Sequence, residues 1–171
     1  LADMDKSVII RNTPLQYRVV GQGVPVLLLH GFGEDSRVWN LLEPALADEY
    51  RLIIPDIPGS GKSPAWPGNE DDREGFADPT MEDFAEAMRV IADAEGIGRF
   101  TMIGHSMGGY ITLAFAGKYP ERLDGFGLFH STADPDGPER KDIRRKGMAF
   151  IKEHGPERFL RQAIPDLFSV E

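Results

Sequence analysis

A doubly wound α/β domain is the fold this sequence predicts: a mostly parallel sheet with antiparallel strands at its N-terminal side and a partial helical cap. Three observations carry that expectation. The runs Pro25–Leu29 and Tyr50–Ile54 are almost continuously apolar, which suits strands covered on both faces, as in a parallel sheet. Around them lie stretches with apolar residues at helical spacing, so strand and helix alternate. Finally, Gly104-His105-Ser106-Met107-Gly108 stands between the strand-like Phe100–Ile103 and the helix-like Tyr110–Ala116, where a strand turning sharply into a helix would fall.

Ser7–Asn12 and Leu15–Val20 are β-branched-rich runs parted by Thr13-Pro14, and Gly21-Gln22-Gly23 turns the chain into the strand Val24–Leu29. Val38, Leu41, Leu42, Ala45 and Leu46 predict one helix over Val38–Ala47, before the strand Tyr50–Ile54. Pro55–Pro79 is a long loop rich in Gly, Pro and acid. Thr80 and Asp83 form a capping-box-like pair ahead of the apolar face Met81, Phe84, Ala85, Met88, Ile91 and Ala92, with Gly96 as the stop. After the Phe100–Ile103 strand, the segment Met107–Tyr119 is apolar nearly all round, so it packs against the middle of the sheet until Pro120 ends it. Leu123–Phe129 is a further strand. Pro138–His154 and Pro156–Ile164 read as helices whose Arg140, Lys141, Arg144, Arg145 and Lys146 form a solvated face. The domain boundaries expected are 1–134 for the core and 135–171 for the start of a helical cap.

Composition narrows the function. A chain of 171 residues with a formal charge of −9 repels nucleic-acid backbones and anionic membranes, which leaves small molecules as the expected partners. There is no cysteine, so disulfides, thiolate metal sites and cysteine nucleophiles are excluded. No apolar stretch approaches a membrane span, and the start Leu1-Ala2-Asp3-Met4-Asp5-Lys6 shows no leader, so a cytoplasmic location is expected.

The segment around Ser106 reads as a nucleophile elbow, in which strained backbone holds a serine above the sheet edge with its hydroxyl open to a carbonyl. Side chains at Gly104 or Gly108 would clash in so tight a bend. The loop His30-Gly31-Phe32-Gly33 follows a strand directly and is a candidate oxyanion hole. Its Phe32 amide would join that of Met107 in stabilising the tetrahedral oxyanion of acyl transfer. The stretch Asp56-Ile57-Pro58-Gly59-Ser60-Gly61-Lys62-Ser63 mimics a phosphate-binding loop. Asp56 stands where that pattern demands glycine, however, and Pro64-Ala65-Trp66-Pro67-Gly68 forbids the helix that would hold the phosphate, so a structured turn is expected instead.

In order, His30-Gly31-Phe32-Gly33, Asp56-x-Pro58-Gly59-x-Gly61-x-Ser63 and Gly104-His105-Ser106-Met107-Gly108-Gly109 resemble the α/β-hydrolase fold family, particularly its bacterial carboxylesterase and C–C hydrolase branches. The resemblance covers about residues 7 to 134. It implies Ser106 as catalytic nucleophile and the backbone N–H groups of Phe32 and Met107 as oxyanion donors. His30, Gly31, Gly104, His105 and Gly108 would shape the elbow and loop. It also implies an ester or similar small carbonyl substrate, a covalent acyl-enzyme, and no cofactor or metal.

In that family the triad runs serine, acid, histidine along the chain, with acid and histidine on loops after later strands. Here only His130 and His154 follow Ser106, and neither is placed like the family's base. The base is therefore expected on a histidine beyond these residues, in the C-terminal part of a longer hydrolase. Asp134 is the candidate acid in a minority arrangement, against the reading of a solvated loop aspartate. Trp66, Phe76 and Phe150 are weighed as pocket lining against ordinary packing. The competing expectation is a catalytically inert binding or assembly protein of the same fold. The strand ending at Phe129 would then form an exposed sheet edge, for a homo-oligomer or a second chain that completes the sheet.

Overall fold

The computed structural model describes residues 4–66 and 78–165, so the Phe76 expectation lies outside the described residues. The chain divides into two compact units, Leu1–Ala133 and Asp134–Glu171.

The first unit is built on a six-stranded sheet of order β1-β2-β4-β3-β5-β6. Its strands are β1 (Met4–Ile10), β2 (Thr13–Val20), β3 (Val24–Leu29), β4 (Tyr50–Pro55), β5 (Phe100–His105) and β6 (Leu123–Phe129). β1 pairs with β2, and β2 with β4, in antiparallel register, while β3, β4, β5 and β6 run parallel. Arg11 and Asn12, with φ of 51° and 56°, join β1 to β2 in the two-residue turn whose twist matches a hairpin.

Alternation along the central strands sends side chains to two cores. Leu27, Leu29, Ile53 and Met102 face one, packed under α2 (Met81–Ala94) and α3 (Met107–Lys118) through Met88, Ile91, Ile111 and Phe115. Val26, Leu28, Leu52 and Ile54 face the other, against Trp39, Leu46 and Ala47. β3 and β4 are buried on both faces over Val26–Leu29 and Leu52–Pro55, which is why those runs are continuously apolar. Thr80 caps α2 with the reciprocal Asp83 bond of a capping box. Trp66 lies in the core, stacked on Phe84 with ring centroids 5.1 Å apart.

The helix expected over Val38–Ala47 is broken. A 3-10 turn, Ser36–Trp39, is capped by Asp35, and only α1 (Glu43–Leu46) is α-helical. Pro44 has no N–H to donate to a carbonyl of the preceding turn, so a helix begun there cannot run through it, whereas a proline is tolerated in the first turn of α1. The apolar spacing was misleading, since Leu41 is 93% exposed while Ser36 and Trp39 are buried. β6 is the outermost strand at its end of the sheet, with Phe126 and Phe129 exposed to 51% and 45%.

In the second unit, α4 (Pro138–His154) and α5 (Pro156–Ala163) each begin with proline and are parted by Gly155, whose φ is 84°. Proline in a helical first turn forgoes an N–H that has no partner there anyway. Phe150 packs on His154 and Phe159 within this unit, and the basic residues of α4 are exposed.

Candidate active site

β3 and β5 lie side by side, and the chain leaves β3 toward β4 but leaves β5 toward β6, in opposite directions along the sheet. In open parallel sheets the crevice at such a reversal, beyond the strands' carboxyl ends, is where ligands bind. The loop after β3 and the turn after β5 both open there.

Ser106 is the single residue between β5 and α3. Its φ of 50° and ψ of −116° place it in strained backbone, half-buried, and its hydroxyl makes no capping bond to α3. Positive φ in a residue with a Cβ persists only where surroundings over-determine it. Here the end of β6 does so: the Ser106 N–H donates to Phe129 O at 3.0 Å, and Ser131 Oγ donates to Ser106 O at 2.8 Å.

The glycines around the turn are sterically required, each for its own reason. A Cβ on Gly104 would fall 2.5 Å from Gly109 N and still closer to Gly108 O. One on Gly108 would meet the end of β3, 2.7 Å from His30 O and 2.8 Å from the Leu29 side chain. Gly104 therefore lets the bend close, whereas Gly108 lets α3 dock on the neighbouring strand.

The β3 loop reaches the same place. A Cβ on Gly31 would lie 2.9 Å from Ser106 Cβ, 3.0 Å from Glu34 Oε2 and 3.4 Å from His105 Nδ1, so this glycine is wedged among three side chains. His30 is fully buried beneath the loop, where Ile57 N–H donates to its Nε2 at 2.9 Å. That bond requires Nε2 to be an acceptor, so Nδ1 carries the proton and donates to Gly31 O at 2.8 Å. Burial holds the imidazole below its ordinary pKa, outweighing the Gly31 carbonyl and the nearby acids Asp56, Glu34 and Asp35. His30 is thus a neutral strut with both nitrogens engaged.

Glu34 is a site residue that the sequence patterns did not single out. Its Oε2 accepts from Gly31 N–H at 2.6 Å and from His105 Nδ1 at 2.8 Å, joining the loop to the residue preceding Ser106. The available clue was an acid three residues after a loop glycine, the spacing at which a carboxylate can return to a backbone amide. The His105 ring also packs near Phe129 and His130, at centroid distances of 5.8 and 6.0 Å.

Met107 opens α3, so its N–H is among the first-turn donors without an acceptor inside the helix, at the positive end of the helix dipole. Phe32 follows Gly31 in the loop, and its side chain is 51% exposed. Asp134 is exposed and is the first residue of the second unit.

The Asp56 segment is a closed turn. Asp56 accepts from Ser36 N–H and Lys62 N–H, each at 2.8 Å, and Ser63 Oγ accepts from Gln16 N–H at 2.9 Å. No helix opens at Lys62-Ser63. Among the described residues no group of acids and histidines is arranged to hold a metal ion, and no helix is long and apolar enough to cross a membrane.

Comparisons with known proteins agree with this architecture. A thermophilic esterase from Thermogutta terrifontis, solved with malate bound, superposes with a TM-score of 0.79 and 34% identity, over 96% of this chain and 58% of its own. A 2-hydroxy-6-oxo-6-phenylhexa-2,4-dienoate hydrolase from Burkholderia cepacia is 36% identical over 117 residues, which are 66% of this chain and 38% of that protein. An uncharacterized Mycobacterium tuberculosis protein is 33% identical over 108 residues, 63% of this chain and 29% of that one. The chain therefore spans well under two thirds of the length of these relatives. Residues 24–147 match the family profile for the alpha/beta hydrolase fold, and the chain belongs to that family.

Proposed function

We propose that the protein is a serine hydrolase acting on an ester or similar small carbonyl compound through a covalent acyl-enzyme. The observation that carries this reading is the backbone of Ser106, held at positive φ between β5 and α3 with its hydroxyl outside the helix's capping bonds. A strained serine at this point of a parallel sheet is the arrangement that presents an oxygen to a carbonyl. The Thermogutta terrifontis esterase, alike over nearly the whole of this chain, supports the choice of an ester.

In the proposed reaction Ser106 Oγ bonds to the substrate carbonyl carbon and gives up its proton to a histidine base. The resulting oxyanion is met by the amides of Phe32 and Met107, each donor of this kind being worth about a hundredfold to a thousandfold in rate. Collapse breaks the bond to the leaving alkoxide, which takes the proton. Water then attacks the acyl-enzyme, releasing the acid and restoring the serine. His30 is buried with both nitrogens bonded, and His105 donates Nδ1–H to Glu34. Following the family's order of serine, acid, histidine, the base is assigned to a histidine outside these 171 residues, Asp134 is kept as the candidate acid, and the helical unit is read as the beginning of a cap. Serine acyl transfer calls on no cofactor.

The test is labelling of the protein, as the cell makes it, with an activated phosphonate, followed by peptide mapping. An adduct on Ser106, absent in Ser106→Ala, is expected. Wild-type protein left unmodified at Ser106 would falsify the enzyme reading and favour an inert binding or assembly protein, for which the exposed Phe126 and Phe129 on the outer strand are the supporting observation.

A further inference from the structure

Glu34 belongs to neither the glycine loop nor the elbow motif, yet one of its oxygens is bonded to both. We infer that Glu34 is a positioning residue for acyl transfer, its Oε2 tying the loop after β3 to the turn after β5 so that the loop amides keep a fixed register with Ser106. For its catalytic half this rests on the serine reading above.

Left to itself, the loop would be free to move. Gly31 and Gly33 flank Phe32, and Gly33 sits at φ 75°, so the backbone that would carry an oxyanion donor is intrinsically loose. An oxyanion donor has no such tolerance, since a displacement of about 1 Å near reacting groups can cost on the order of a hundredfold in rate. Something must therefore hold the loop against the elbow. His30 ties it downward, to Ile57 after β4. Glu34 ties it sideways: Gly31 N–H and His105 Nδ1–H converge on the same carboxylate oxygen, and His105 is bonded through the backbone to Ser106. The Gly31 amide is thereby committed to Glu34. Its missing Cβ leaves the space in which Ser106, Glu34 and His105 approach one another.

The shared oxygen makes the role separable from charge. A carboxylate this near a developing oxyanion would oppose it by Coulomb's law, so an electrostatic contribution from Glu34 would have the wrong sign. A glutamine keeps one carbonyl oxygen able to accept both bonds and removes the charge, whereas alanine removes both bonds.

The experiment uses the full protein, Glu34→Gln and Glu34→Ala, with p-nitrophenyl acetate as acylating probe and hydrogen exchange at the Gly31 amide as a readout independent of activity. In Glu34→Ala the Gly31 amide should lose protection, and kcat should fall about tenfold to a hundredfold with little change in KM. Glu34→Gln should restore both. Wild-type kcat in Glu34→Ala, or unchanged Gly31 protection, would overturn the inference, as would a glutamine variant as slow as alanine. Should wild-type protein not acylate at Ser106, the serine reading fails on its own. The exchange readout then decides the tie alone: lost protection in Glu34→Ala upholds it, and unchanged protection overturns it.

Discussion

Two glycine- and serine-rich turns leave the strands on either side of β3, and they put the same residue types to opposite use. After β4, the polar groups are turned inward and satisfied: Asp56 takes two backbone N–H groups, Ser63 takes a third, and a Cβ on Gly61 would collide with the Asp56 carboxylate. After β5, strain is concentrated on one residue, Ser106, whose main chain is held by β6 while its side chain is left out of the capping bonds. One turn stabilises the fold, and the other uses stability supplied by its neighbours. Composition does not separate them. The residue that comes after each turn does, since Pro64 closes off a helix in the first case and Met107 opens one in the second.

The largest effect expected from this contrast is steric. Gly108→Val places a side chain against backbone at the end of β3, which cannot yield without moving a central strand. It should cost about 3 kcal/mol or more, read as loss of the cooperative unfolding transition or of soluble protein. Its counterpart after β4 is milder, because a Cβ on Gly59 meets only Ala65 at 3.7 Å and the cost is the positive φ of 88°. Gly59→Ala should lose about 1–2 kcal/mol. Equal losses at the two positions would erase the distinction.

Next in size is Asp56→Ala, which strands the amides of Ser36 and Lys62. A loss of about 2–4 kcal/mol is expected, seen as a lower urea midpoint at unchanged slope. ATP should not raise the melting temperature of the wild type, since the turn lacks the helix a phosphate would need. Thermal stabilisation by ATP would reopen the phosphate-loop reading.

Acid should weaken the molecule in two stages. His30 is held neutral by burial, so its folded pKa lies below its unfolded value. The unfolded chain then binds the extra proton first, and stability present above about pH 6.5 declines as pH falls below it. Glu86 is held down to about 2 by the Arg89 and Tyr119 bonds and the Arg89 and Lys118 charges, against the opposing effect of burial. For Glu95 burial is the largest influence and opposes the charge, yet the bonds from Lys6 and Tyr17 and the charges of Lys6 and Arg51 together prevail and lower its pKa. Both carboxylates contribute stability above the ordinary carboxylate range, and that contribution is lost as pH falls through their lower folded values. Melting temperature against pH should show both declines, with Glu95→Gln flattening the more acidic one.

The smallest effect is at Ser131, whose hydroxyl supports the Ser106 carbonyl. Ser131→Ala should cost about 1 kcal/mol by thermal unfolding. Labelling at Ser106 should slow more than that stability loss alone would suggest, whereas Ser63→Ala, of similar cost, should leave labelling unchanged.

Whatever short-range physics decides was legible along the chain. Apolar runs marked the buried strands, Thr80 and Asp83 marked the start of α2, and the glycine spacing around Ser106 marked a bend that tolerates no side chain. Proline in the Val38–Ala47 segment carried the information that the helix breaks, but the apolar spacing overrode it. The remaining contacts came from the assembled sheet, because they depend on which strands lie side by side. Glu34 and His105 are 71 residues apart, and they meet because β3 and β5 are neighbours in the sheet. His30 acquired its tautomer from Ile57, just past the end of β4, and Ser106 its restraint from β6. A local pattern can specify a strained serine, but the groups that hold it in place are recruited across the sheet, where spacing along the chain carries no record of them.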